Sequence, residues 1–195
     1  MTEHQELIEL LARRSVRRGH FTLASGKTSN LYVDARLTSM SAEGLSLIGP
    51  IGLHAIKAAG WQPDGVGGLT LGADPVAYAI SYASSMEPPL VQAFTVRKET
   101  KEHGTGKIIE GPFKKGDQVV IIEDVITTGT SALRAITAVN NAGGNVQGVL
   151  ALVDREDGGQ EKIENTGYRV ISLAQISEIL ALMECSGTNS NSSDG

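Results

Sequence analysis

The run Val119-Val120-Ile121-Ile122-Glu123-Asp124-Val125-Ile126-Thr127-Thr128-Gly129-Thr130-Ser131 constrains this chain more than any other stretch. It opens on consecutive β-branched aliphatics, the composition of a strand buried on both faces in a parallel sheet. Two carboxylates follow directly, then a turn rich in hydroxyls with a single glycine. Ala132-Leu133-Arg134-Ala135-Ile136-Thr137-Ala138-Val139 comes next with helical spacing. A turn between a strand's carboxyl end and a helix's amino end gathers unpaired backbone N–H groups and the positive end of the helix dipole. Such a turn binds anions, most often phosphate.

Two familiar phosphate loops do not fit. No lysine lies between Val119 and Leu133, as a nucleoside-triphosphate loop requires, and Gly129 stands alone where a dinucleotide fold carries three glycines. Glu123 and Asp124 would repel a phosphate unless they face something else, such as sugar hydroxyls or a developing cation. The parts together suit a sugar phosphate gripped by its 5′-phosphate and its ribose hydroxyls. An ordinary βα turn, with solvated acids and threonines capping the helix, uses the same residue types but not this order.

The remaining chain supplies the frame. Its 195 residues suit one domain with a proper core, read here as residues 1–185, with the small, polar segment 186–195 as a disordered tail. A net charge of -5 and few aromatics disfavour a nucleic-acid surface. No apolar run approaches the roughly 18 residues of a membrane span, and Met1 to Glu9 is too polar for a signal peptide. A lone cysteine, Cys185, excludes an internal disulfide framework and a cysteine-cluster zinc site. The expectation is a cytoplasmic protein without membrane or nucleic-acid partners.

Helices are expected from Glu3 to Arg18, with Arg13, Arg14, Arg17 and Arg18 at the carboxyl end of the dipole, and over 43–59, where Pro50 should kink the segment or begin a second helix. Ser25 to Asn30 reads as a turn before a strand from Leu31 to Asp34. Gly65 to Leu69 is a strand running into Thr70-Leu71-Gly72-Ala73-Asp74-Pro75 and a helix to about Ser85. Further strands fall at 90–96, 146–153 and 168–173, a loop at 155–159, and a closing helix at 176–184. Alternating strands and helices predict a doubly wound parallel sheet, with ligands at the strands' carboxyl ends.

Arg97 to Glu110 breaks this rhythm: it is polar, rich in lysine and arginine, and without periodicity. A long unstructured segment inside a domain is either a lid or a solvated loop. As a lid, it brings Arg97, Lys98, Lys101 and His103 to an anion whose charge grows as a bond breaks. His103 serves there as a cationic donor if phosphate raises its pKa.

The Glu123–Ser131 run resembles the phosphoribosyl pyrophosphate (PRPP) signature of the type I phosphoribosyltransferases. Arg97-Lys98-Glu99-Thr100-Lys101-Glu102-His103-Gly104 followed by Ile108-Ile109-Glu110-Gly111 is similar to the catalytic loop of the orotate phosphoribosyltransferases within that family. Phe21 to Arg36 resembles their amino-terminal segment, Gly68 to Pro75 their pyrophosphate loop, and Val153-Asp154-Arg155-Glu156 their late substrate loop. The resemblance implies an α/β fold of the type I phosphoribosyltransferase kind with a small N-terminal hood. It implies transfer of ribose 5-phosphate from PRPP to orotate, with Mg2+ held mainly through PRPP and no direct protein ligand assigned.

Carried over by position, the resemblance gives PRPP to Arg97, Lys98, Lys101, His103, Glu123, Asp124, Val125, Ile126, Thr127, Thr128, Gly129, Thr130 and Ser131. Lys101, His103 and Asp124 are the catalytic candidates. Thr127 and Arg155 would meet orotate, Arg155 as a planar two-pronged clamp on its carboxylate; without the resemblance, an ion pair of Arg155 with Glu156 or Asp157 is the simpler reading. The family also implies a homodimer whose loop residues, Lys98 among them, act in the neighbour's site. Two family lysines are replaced, by Ala24 (with Lys27 nearby as a substitute) and by Gly72. The rivals are a purine or uracil phosphoribosyltransferase, which for a purine lacks an aromatic in Asp154–Gly159, and a non-catalytic PRPP sensor, which lacks a basic module.

Overall fold

The computed structural model describes residues 2–22, 28–99 and 107–188. Helix α1 (Glu3–Arg14) starts at a capping box in which Thr2 and Gln5 each accept the other's backbone N–H. Its stripe of Leu7, Ile8, Leu10 and Leu11 is buried. The helix expected to reach Arg18 stops at Arg14. Val16–Thr22 instead forms strand β1, antiparallel to β2 (Thr28–Val33), with Val16 opposite Val33 and Arg18 opposite Leu31. Arg17 and Arg18 therefore do not complement the helix dipole; Arg18 pairs with Glu184 at 2.7 Å. The partner strand lies beyond a turn, so local periodicity could not reveal the pairing. This hairpin and the short α2 (Arg36–Ser39) form the hood.

Helix α3 (Ala42–Ala58) runs as one element through Pro50. An interior proline costs about 3 kcal/mol. Ile48, Leu53 and Ile56 are buried on both sides of it, and each such side chain contributes about 1.5–3 kcal/mol. Packing outweighs the lost hydrogen bond.

Next come β3 (Gly65–Leu69), α4 (Ala73–Met86), β4 (Gln92–Val96), β5 (Ile109–Glu110), β6 (Gln118–Ile126), α5 (Thr130–Asn141), β7 (Asn145–Asp154), α6 (Gly159–Glu164), β8 (Val170–Gln175) and α7 (Ile176–Thr188). The sheet order is β5-β4-β3-β6-β7-β8, parallel except for β5. Val120 and Ile122 of β6 join the core beneath α1, α3, α4 and α7, while Val119 and Ile121 join the core beneath α5 and α6. Both faces are covered, which is why this strand reads as an unbroken apolar run.

Several boundaries differ from expectation. β2 begins at Thr28, inside the expected turn, because it pairs with β1. α6 follows the expected loop at 155–159, and β8 lies two residues later than expected. Ile109 and Glu110, expected within the loop, pair with Val96 and Thr95 as the edge strand; residues 100–106, with Lys101 and His103, lie outside the described residues. β6 continues through Glu123 and Asp124 to Ile126, so the acids lie within the strand and do not follow it. α7 continues through 186–188, and only 189–195 of the expected tail fall outside the described residues.

From β3 the chain winds to β4 on one side, and from β6 to β7 on the other. The strand order reverses between β3 and β6, the place where an open α/β sheet parts its loops and binds ligands.

Candidate functional site

A cleft of about 290 Å³ opens at this reversal. Thr70, Leu71 and Gly72, after β3, form one wall; Thr127 and Ser131, after β6, form the other; Glu123, Asp124 and Val125 lie between. Arg36, Lys98 and Arg155 bring cations to its rim.

Two helices begin here, α4 after Gly72 and α5 after Gly129, and neither has a side-chain cap. Their first N–H groups and dipoles are left for a ligand. Gly129 adopts φ 70, open to glycine at little cost, and a Cβ there would sit 2.7 Å from the Gly159 carbonyl oxygen. The loop is thus pressed against the start of α6. At Gly72, where the resembling family often has lysine, a Cβ would run into the Asp124 carboxylate. A side chain at 72 would therefore require the Asp124 carboxylate to move.

The two acids differ in surroundings. Burial first, then the charge of Asp124 and a hydrogen bond with it, push the Glu123 carboxyl up to about 8. Glu123 Oε2 is buried without a partner. Burial also raises the Asp124 carboxyl, but the Val125 N–H donates to its Oδ1 at 2.9 Å and the Arg36 charge acts in favour of its anion. Burial thus pushes both carboxyls toward their neutral forms, with the Val125 N–H and Arg36 opposing that shift at Asp124 alone.

The arginines already face carboxylates. Arg36 forks onto Asp34, Nε to Oδ1 at 2.8 Å and Nη2 to Oδ2 at 3.0 Å, and that pairing lowers the Asp34 carboxyl. Arg97 donates to Glu110 at 3.1 Å and lines a neighbouring apolar groove, outside the cleft. Arg155 Nε lies 3.1 Å from Asp157 Oδ2, the simpler pairing considered above, yet without hydrogen-bond geometry, so this buried N–H keeps its donor capacity. Glu156 adopts φ 57 in the turn beyond and accepts the Ser177 N–H at 2.8 Å, tying the turn to α7.

The structure brings Lys98, Glu123, Asp124, Val125, Thr127, Ser131 and Arg155 together. It keeps others apart. Ile126 is buried in the core and serves through its carbonyl, which accepts the Arg155 N–H. Thr128 and Thr130 are exposed and hydrogen-bond one another at 3.0 Å. Lys98 lines the cleft of its own chain. Asp34 and Arg36 were not among the expected site residues; their signal was their place at the end of the Phe21–Arg36 segment. Among the described residues, no group of three or more His, Cys, Asp or Glu side chains is arranged to hold a metal, and no helix is long and apolar enough to cross a membrane.

The family model described as a phosphoribosyl transferase domain matches residues 53–181. An orotate phosphoribosyltransferase of Aquifex aeolicus is 45% identical over 183 residues, 92% of this chain and 99% of that relative. The crystal structure of Mycobacterium tuberculosis H37Rv orotate phosphoribosyltransferase in complex with Fe(III) dicitrate superposes with a TM-score of 0.81 at 43% identity, covering 91% of this chain and 99% of that one. The same enzyme in complex with PRPP gives a TM-score of 0.78 at 40% identity, covering 91% and 99%.

Proposed function

The chain belongs to the orotate phosphoribosyltransferase family, and from that premise we propose how its cleft carries out the reaction. The enzyme transfers ribose 5-phosphate from PRPP to orotate, giving orotidine 5′-monophosphate and pyrophosphate in pyrimidine biosynthesis. The observation that carries the assignment of parts is the meeting of two uncapped helix starts with an acidic pair in one cleft.

The start of α5, Thr127 to Ser131, takes the 5′-phosphate through backbone N–H groups and hydroxyls. Glu123 and Asp124 take the ribose hydroxyls. Glu123 in its neutral form can donate as well as accept, while Asp124 in its anionic form favours positive charge developing at C1 of the sugar. The start of α4 with the Thr70–Gly72 loop takes the diphosphate, joined by Lys98, and by Lys101 and His103 as the leaving group departs. Arg155 turns its guanidinium, with its unsatisfied Nε–H, to the orotate carboxylate, displacing Asp157, with Thr127 beside the ring.

The unpaired Glu123 oxygen beside Asp124 suits hydroxyls or metal-bound water better than a full protein cage, which fits Mg2+ carried in largely by PRPP. When bound, Mg2+ neutralises charge on the diphosphate. The assembly is a cytoplasmic homodimer, supported by an apolar stripe on α4 where Tyr78, Tyr82 and Met86 are 53%, 67% and 71% exposed.

A spectrophotometric assay with orotate, PRPP and Mg2+, run beside adenine, hypoxanthine and uracil, tests the reading. Turnover of orotate alone is expected; a purine turned over in its place overturns it. Arg155→Ala should raise the orotate KM or abolish turnover, and Lys101→Ala should depress kcat more than PRPP binding.

A further inference from the structure

Asp74 lies in the first turn of α4 and is 6% exposed, yet no part of the proposed mechanism uses it. Its carboxylate accepts two hydroxyls. Thr70 Oγ1 donates to Oδ2 at 2.7 Å, and Thr95 Oγ1 donates to Oδ1 at 2.8 Å. Because Thr95 spends its proton on Asp74, the 3.0 Å contact between Tyr78 Oη and Thr95 Oγ1 must have tyrosine as donor. The chain of bonds has one direction: Tyr78 to Thr95 to Asp74, with Thr70 arriving from the other side.

These partners belong to different elements. Thr70 begins the loop whose residues 70–72 wall the cleft, and its own N–H is held by the Val96 carbonyl at 2.8 Å. Thr95 sits near the end of β4, directly before Val96, Arg97 and Lys98. One buried carboxylate thus ties the loop after β3 to the strand end from which the cationic segment departs. Tyr78, at the far end of the chain of bonds, stands on the exposed stripe of α4.

We infer that Asp74 is a positioning residue for diphosphate recognition, holding the Thr70–Gly72 loop and the root of the Arg97–Lys98 segment in register through Thr70 and Thr95. The inference rests on the proposed reading of the cleft, in which that loop meets the diphosphate. Asp74 itself does not touch the substrate. A buried ionic acceptor is the suitable anchor, since hydrogen bonds to a charged group are stronger than those between neutral partners and leaving one unmade is costly.

Kinetics of Asp74→Asn and Thr95→Val, beside Tyr78→Phe, test this. Thr95→Val keeps the side chain's shape and removes its hydroxyl, and with it both the bond to Asp74 and the bond from Tyr78, so it answers the question even if Asp74→Asn folds poorly. The KM for PRPP, and for pyrophosphate in the reverse reaction, should rise about tenfold in both, the loss that a hydrogen bond to a charged group carries. The orotate KM should stay within about twofold, and Tyr78→Phe should show the same pattern more weakly. A merely structural role lowers the melting temperature and leaves the ratio of PRPP to orotate KM unchanged. That result, or an equal rise in both constants, overturns the inference in an active enzyme. A wild-type chain that does not turn over orotate and PRPP overturns the reading beneath it as well.

Discussion

Helices α1 and α3 begin as helices of a scaffold should, and α4 and α5 do not. Thr2 and Ser41 cap the first two with side-chain oxygens, Ser41 accepting the Gly44 N–H at 3.0 Å. Gly72 and Gly129 stand at the same position in the other two and supply nothing. A glycine in place of a capping side chain costs a helix a few tenths of a kcal/mol. The short α6 also starts at an uncapped glycine, but of the long helices with a described start only α4 and α5 lack a side-chain cap. Both begin at the cleft, where open N–H groups can meet a ligand's oxygens.

The comparison breaks most readily at the glycines. Gly129→Ala or Gly72→Ala should lower kcat/KM for PRPP about 100-fold, the scale of losing a preorganised donor, because the Cβ meets the Gly159 carbonyl in the first and the Asp124 carboxylate in the second. Steady-state kinetics near wild type for either variant would mean these helix starts do not bind phosphate. Glu123→Gln addresses stability. The folded carboxyl holds its proton up to about 8, while the unfolded chain releases it near about 4.3. The folded state therefore binds more protons through that window, and stability falls as pH rises across it. At pH 8 the glutamine variant should melt about 3 °C higher, the shift that roughly 1 kcal/mol produces in a domain of this size. Parallel melting profiles across pH for the two proteins would contradict a buried neutral acid.

The scaffold caps offer the reverse experiment. Ser41→Ala should cost about 1 kcal/mol in denaturant unfolding and leave both substrate KM values unchanged; altered kinetics would erase the distinction between the two kinds of helix start. The smallest effect is expected at the clamp. Asp157→Asn removes the rival carboxylate 3.1 Å from Arg155 Nε, and should lower the orotate KM about threefold, as a partly exposed ion pair permits. An unchanged KM would mean that Arg155 does not leave Asp157 to bind substrate.

Much of this site was legible because its parts are contiguous. Strand, acids, turn and helix follow one another from Val119 to Val139, and short-range rules read each in turn. The hood was not legible in the same way: Val16 to Arg18 continue a helical pattern, and only the strand at Thr28–Val33 makes them β. Arg36 gave no signal of its own, since a fork onto Asp34 at the rim of the Asp124 cleft is a meeting of distant segments. Nor did Asp74, whose partners lie four residues away on one side and 21 on the other.

By itself, then, the order of residues determined the alternating sheet, the phosphate-binding turn and the chemistry its neighbours can offer, because these depend on properties carried within a few residues of one another. Only the tertiary structure decided how far burial shifts the two acids, which arginine is already spoken for, and what a side chain at position 72 would meet. Each of those is set by burial and by atoms from other strands, and burial is a property of the assembled sheet.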